Sequence, residues 1–216
     1  MSAKSLGSKE SRASALDRAI ASSGVEVTDA ARAALVEWLE GIAHFNAKID
    51  LTAARSDDEL IDLMIADALV LAKRLPSGAR FVDVGTGAGA PGLGLAIVRA
   101  DLDATLVEPL DKRVAFLRRT IGAIASHLGA RVRVVRGRGE DLVAQARTFD
   151  VALSRATLQP PEWLALGAKL SPRGEVWCLL AQGDPPSVPG FRATDDVRYD
   201  WPLTSASRRA IRFVPA

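Results

Sequence analysis

The stretch 83-DVGTGAGAPGLGL-95 decides how this chain folds. Gly85, Gly87 and Gly89 alternate, a proline follows at position 91, and an apolar run opens behind it. The residues leading in, 79-ARFVDVG-85, read as a short buried strand. The residues leading out, 91-PGLGLAIVRA-100, read as a helix with Pro91 in its first turn, where a missing N–H breaks no hydrogen bond. A glycine loop by itself says little. Placed between a strand and a helix, it marks a turn whose backbone N–H groups can face a ligand.

The same alternation continues to the end of the chain. DATLVEP is a strand, and DKRVAFLRRTIGAIASHLG is a helix with Val114, Leu117, Ile121, Ile124 and Leu128 on one face. ARVRVVRG, FDVALSRA and GEVWCLLAQG are strands, separated by the helices EDLVAQA and PEWLALGAKL. Strands alternating with helices imply an α/β fold with a doubly wound, mostly parallel sheet. VRYDWPL and RAIRFVPA predict a closing hairpin that places one strand antiparallel to the rest. Upstream the periodicity is helical. Ala34, Leu35, Trp38, Ile42 and Phe45 form one stripe, and Ile61, Met64, Ile65, Ala68, Leu69 and Ala72 another. Ser56 with Glu59 predicts a capping box at the start of the second helix. Two units are therefore expected: a tail plus helical extension over 1–75, and a ligand-binding α/β domain over 76–216. The first fourteen residues read as a solvated, mobile tail without the apolar centre of a signal peptide.

Composition narrows the possible functions. The chain has 216 residues, 48% of them apolar and 25% charged, which is ordinary for a globular protein. A single cysteine, Cys178, rules out an internal disulfide, and with only His44 and His127 a metal site is not expected. No uncharged apolar run approaches the roughly 18 residues of a membrane span, so a cytoplasmic protein is expected. The net charge of +2 hides an asymmetry: residues 1–75 carry 9 basic and 12 acidic side chains, and 76–216 carry 19 and 14. Residues 112–139 hold eight basic side chains and no acidic one. That stretch is either a solvated helix face and strand edge or a positive surface for phosphates.

The ligand of the glycine loop is ambiguous at this level. Gly85-x-Gly87-x-x-Ala90, with Glu108 19 residues after Gly89, fits a dinucleotide fingerprint. Asp83-x-Gly85-x-Gly87-x-Gly89 is equally the form of the first motif of S-adenosylmethionine-dependent methyltransferases. Charge separates the two ligands. A dinucleotide brings an anionic pyrophosphate to the loop, whereas S-adenosylmethionine brings an ammonium, a sulfonium and a carboxylate. Asp83 favours the second, holding the amino-acid moiety through the loop or a water, with Glu108 accepting from both ribose hydroxyls.

DVGTGAGAPGL, LVEPLDKRVAFLR, RGED and FDVALSRA together, with FNAKIDLTAAR upstream, resemble the glucose-inhibited-division B family over residues 35–183. Members of that family are small-subunit ribosomal RNA guanine-N7 methyltransferases with a Rossmann-like sheet. The resemblance implies S-adenosylmethionine as cofactor and ribosomal RNA, or the small subunit, as partner. It also implies that Gly85, Ala90, Gly139, Glu140 and Arg155 contact cofactor or substrate. Several departures remove cations. Leu63 and Met64 stand where the family has Arg-His before a Leu-Asp-Ser-Leu segment, of which Asp67 and Leu69 remain. Gln182 stands for a lysine, and Phe45 and Asp50 for a tryptophan and an asparagine. A methyltransferase acting on a small molecule or protein is the alternative.

The absence of a Ser/His/Asp set is no objection to methyl transfer onto guanine N7. That atom carries a free lone pair in the neutral base, so catalysis needs alignment more than proton removal, and positioning can supply roughly 7–11 kcal/mol. Arg155 is the candidate catalytic residue: it suits the N7/O6 edge of guanine, with a phosphate or the cofactor as alternative partners. Ser154 reads as a turn residue and His127 as a surface histidine. Trp177 and Cys178 are expected in the core, as are Trp163 and Trp201, for which stacking a base is the alternative.

Overall fold

The computed structural model describes residues 6–181 and 183–216. Seven strands form: β1 (Arg80–Val84), β2 (Asp103–Glu108), β3 (Val132–Arg136), β4 (Val151–Arg155), β5 (Glu175–Leu180), β6 (Phe191–Asp200) and β7 (Ser207–Pro215). They make one sheet in the order β3-β2-β1-β4-β5-β7-β6. β1 to β5 are parallel, with Phe81 beside Ala104 on one side and Val151 on the other. β7 inserts antiparallel against β5, and β6 closes the hairpin at the edge. The order reverses between β1 and β4, so the switch point lies at the carboxyl end of β1, where the glycine loop begins.

Period-2 alternation sends neighbouring strand residues into different layers. Phe81, Leu106, Leu153 and Trp177 face one apolar cluster, and Val82, Val107, Ala152 and Cys178 face the other. The first cluster is covered by α1 (Lys9–Ser23), α2 (Asp29–Ile49), a composite α3 (Asp57–Ile61, Asp62–Ala66 and Asp67–Ala72), α4 (Gly92–Val98), α5 (Asp111–Ala123) and α6 (Ala125–Leu128). The second is covered by α7 (Gly139–Ala144) and α8 (Pro160–Leu170). Helices of the first 75 residues and strands of the remainder thus share one cluster: Leu35, Trp38 and Ile65 lie in it with Phe81 and Leu93.

Several expectations are corrected. The sequence places the end of the tail at residue 14, but α1 begins at Lys9, with Ser8 capping the Ser11 N–H. Arg12 is why: its guanidinium is buried and forked onto Glu40, with Asp57 also in reach. Residues 1–5 lie outside the described residues. Ser56 caps Glu59 as expected, but the Glu59 carboxylate reaches back to the Arg55 N–H rather than to that of Ser56. The second sequence helix is α3, built of Asp57–Ile61, a π turn over Asp62–Ala66, and Asp67–Ala72. The long helix after β2 breaks at Ile124 into α5 and α6. β6 starts at Phe191 and ends at Asp200, so Trp201 and Leu203 belong to the connection rather than to the strand. No helix among the described residues is long and apolar enough to cross a membrane.

Candidate active site

The carboxyl ends of β1, β2 and β4 converge on the glycine loop. Asp83, in β1, is fully buried. Its Oδ2 accepts from the Thr86 hydroxyl at 2.7 Å and from the Gly92 N–H at 2.8 Å, so the carboxylate spans the loop from its first turn to the start of α4. Its Oδ1 has no hydrogen-bond partner among the described residues. Burial pushes the Asp83 carboxyl up to about 6, opposed by the bonds from Thr86 and Gly92 and by the charge of Arg155.

Glu108, at the end of β2, is also buried. One oxygen accepts from the Gly87 N–H at 3.0 Å and the other from the Leu110 N–H at 2.9 Å. Each oxygen keeps a lone pair after these bonds. Glu108 therefore fixes the loop and still presents an acceptor surface at the strand end. From the other side the Trp38 indole N–H donates to the Ala88 carbonyl at 2.9 Å, so α2 clamps the loop as well. Nothing in the local motif announces Trp38, which is 50 residues away in sequence.

Within the loop, Gly85 and Gly87 take φ of +74° and +60°. A Cβ on Gly85 would lie 2.1 Å from Thr157 Oγ1, so that glycine admits the chain after β4. A Cβ on Gly87 would meet no atom of the described residues within 4 Å, so its face is the open one. Gly89 backs onto Leu93 and Trp38, and the Ala90 side chain is buried in the core cluster. Ala90 thus offers a ligand its backbone only. Gly139 is buried where α7 begins, and a Cβ there would lie 2.9 Å from Leu166 Cδ2 and 3.2 Å from Val84 Cγ1. Glu140 is exposed in the first turn of the same helix.

The β1–β4 ladder ends at Asp83 beside Leu153. Beyond it, Ser154 Oγ donates to the Val84 carbonyl at 2.7 Å and Thr157 Oγ1 to the same carbonyl at 3.1 Å. Ser154 is therefore a buried strand residue that ties β4 to β1 where they part, not a turn residue. Arg155 follows. Its Nη1 donates to the Leu63 carbonyl at 2.6 Å and to Asp67 Oδ2 at 2.9 Å. Asp67 is buried, and its Oδ1 accepts from the Tyr199 hydroxyl at 2.8 Å and from the Trp201 indole at 2.9 Å. Arg155 is thus a partly buried, ion-paired arginine beside the loop. Trp163 is buried with its N–H on the Trp177 carbonyl, and Trp177 and Cys178 are buried too. His127 bonds through Nε2 to the Ile97 carbonyl at 2.7 Å. Leu63 reaches the Arg155 site, and Gln182 lies outside the described residues.

A parallel sheet with a buried acid under a glycine loop at its switch point, and a second acid ending the next strand, defines a Rossmann-like methyltransferase fold. Two solved structures share it. An O-methyltransferase from Bacillus cereus in complex with SAH matches with a TM-score of 0.61 at 18% identity, over 94% of this chain and 97% of that one. The O-methyltransferase TomG from Streptomyces achromogenes, in complex with SAM, matches with a TM-score of 0.58 at 16% identity, over 91% and 94%. The family is set by sequence. Residues 31–184 match the GidB model, described as rRNA small subunit methyltransferase G. The ribosomal RNA small subunit methyltransferase G of Anaeromyxobacter dehalogenans (strain 2CP-C) is 32% identical, over 92% of this chain and 95% of its own length. That of Yersinia enterocolitica is 37% identical, over 76% and 78%. The chain belongs to the GidB family of methyltransferases.

Proposed function

We propose that this chain transfers the methyl group of S-adenosylmethionine to N7 of a guanine in small-subunit ribosomal RNA. The observation that carries the reading is the juxtaposition of two acids and one arginine at the switch point. Asp83 lies under the loop with an oxygen unpartnered among the described residues, Glu108 ends β2, and Arg155 ends β4. The residues fit the cofactor. Gly87 presents an open backbone face, Glu108 keeps lone pairs for the ribose hydroxyls, and Gly139 brings the start of α7 close to the end of β1, where backbone N–H groups can meet adenine. Exposed Glu140 contributes there through its backbone or through the helix dipole. When bound, S-adenosylmethionine supplies an electrophilic methyl on a sulfonium.

The chain's own residues then have a limited task. Guanine N7 needs no general base, so the protein holds the base in line and excludes water. Arg155 is fixed by Asp67 and the Leu63 carbonyl and can present its remaining N–H donors to the base or to a phosphate. Tritiated S-adenosylmethionine should label small-subunit ribosomal RNA, with 7-methylguanosine recovered after nuclease digestion. Label appearing instead in a protein or metabolite pool would replace this reading with the alternative acceptor class.

A further inference from the structure

The family assignment leaves the C-terminal hairpin without a role, yet the hairpin walls a pocket beside Arg155. This pocket, about 170 Å³ in volume, opens at the carboxyl ends of β4 and β5. Its floor is apolar, with Leu63, Leu180 and Ala181, and its far wall is Tyr199, Trp201 and Arg208 from the hairpin. Arg208 lies across from Tyr199 in the β6–β7 ladder, and its guanidinium sits 3.6 Å from the centroid of the Trp201 ring. The indole is held edge-on by its N–H bond to Asp67, the same carboxylate that holds Arg155 and Tyr199. Both Asp67 oxygens accept from these groups, so the acid is neutralised inside the network. With Arg155 paired to Asp67, Arg208 supplies the pocket's net positive charge.

We propose that this pocket receives the extruded purine of the methyl acceptor, with Arg208, stacked on Trp201, as the planar platform on which the base lies. A guanidinium this close over an indole can lie parallel to it and offer its outer face for stacking, the mode by which proteins hold unpaired RNA bases. The pocket is one arginine away from the cofactor loop: Arg155 lines it, and its charge acts on Asp83. The base can therefore enter with one edge toward Arg155 and the loop. Asp67 is a positioning residue here, setting Arg155 and Trp201 relative to each other from a single carboxylate. The platform lies in the β6–β7 hairpin, more than 50 residues after Arg155 in sequence.

The inference rests on the proposed RNA substrate, and its test separates the two. Arg208→Gln, Arg208→Lys and Trp201→Phe are compared with wild type for S-adenosylmethionine affinity, for binding of a small-subunit ribosomal RNA transcript, and for KM and kcat of methyl transfer. The expected result is unchanged cofactor affinity, with RNA KM raised about tenfold or more in Arg208→Gln. Arg208→Lys should fail to rescue, because an ammonium keeps the charge and loses the plane. Quenching of intrinsic fluorescence by the transcript should shrink in Trp201→Phe. Full rescue by lysine would make Arg208 a phosphate contact and overturn the platform. RNA binding and KM unchanged in both arginine variants, with wild-type methylation intact, would overturn the pocket and leave the proposed function standing. A wild type that neither binds nor methylates the transcript would overturn both.

Discussion

Asp83 carries the sharpest consequence at the scale of single residues. Its carboxyl is pushed up to about 6 because the ionised form is buried, with one oxygen unpartnered among the described residues. An acid raised in the folded state binds its proton more tightly folded than unfolded. Stability therefore falls as pH rises from about 4 to about 6 and stays low above that. Across that window the loss is about 3 kcal/mol. Asp83→Asn removes the ionisation while keeping an acceptor for Thr86 and Gly92. In urea denaturation without cofactor, the variant should match wild type near pH 4 and exceed it by up to ~3 kcal/mol at pH 8. A difference that does not change with pH would show that Asp83 does not ionise in the window. The same cost explains why the loop suits a cationic ligand: a nearby ammonium or sulfonium favours the charged carboxylate and offsets its desolvation.

At the scale of elements, the glycine loop is where local sequence and site coincide. Gly87 combines a φ of +60° with an open Cβ direction, while Gly85 is blocked by Thr157. Gly87→Val puts a branched side chain on the open face and strains the backbone by roughly 1–2 kcal/mol. Calorimetry should show S-adenosylmethionine binding lost, while the melting temperature falls by only several degrees, at about 2–4 °C per kcal/mol for a chain of this size. Retained binding would mean that the cofactor does not approach this face. The loop, β1, β2 and β4 are legible because their signals are contiguous: an apolar strand, a glycine spacing, an acid at the next strand end. The rest is not. Asp67 meets Arg155, Tyr199 and Trp201 across 88, 132 and 134 residues, and one sequence carries no mark of such pairings. The π turn at Asp62–Ala66 keeps the apolar stripe of an ordinary helix, so periodicity does not reveal it. What holds it is tertiary: buried Asp62 accepts from the Leu203 and Thr204 N–H groups of the hairpin connection. β6 is legible only in part because FRATDDVRYD lies at the sheet edge and has little apolar face to declare it.

Across the whole molecule, the excess of basic residues after position 75 is concentrated on α5 and β3. The structure sorts the arginines of α5. Val114, Phe116, Leu117 and Thr120 face inward, leaving Arg118 and Arg119 exposed and Arg113 half-buried. Arg113 donates to the Asp50 carbonyl at 3.1 Å, and Arg119 lies 5.2 Å from the Phe45 ring centroid. Neither contact neutralises a charge, and none of the three arginines has an ion pair among the described residues. Arg119 is exposed, with its guanidinium over the Phe45 ring. If this face docks RNA, it does so through phosphates rather than base edges. Replacing Arg113, Arg118 and Arg119 together with Gln should weaken RNA binding about equally for different sequences. The slope of log affinity against log salt should flatten by about 0.7–0.9 for each phosphate no longer neutralised, so by roughly 2 if all three engage. Cofactor affinity should not change, because none of the three touches the loop. An unchanged slope in the triple variant, measured with RNA that the wild type binds, would reduce this face of α5 to solvated surface and leave docking to the arginines of the hairpin.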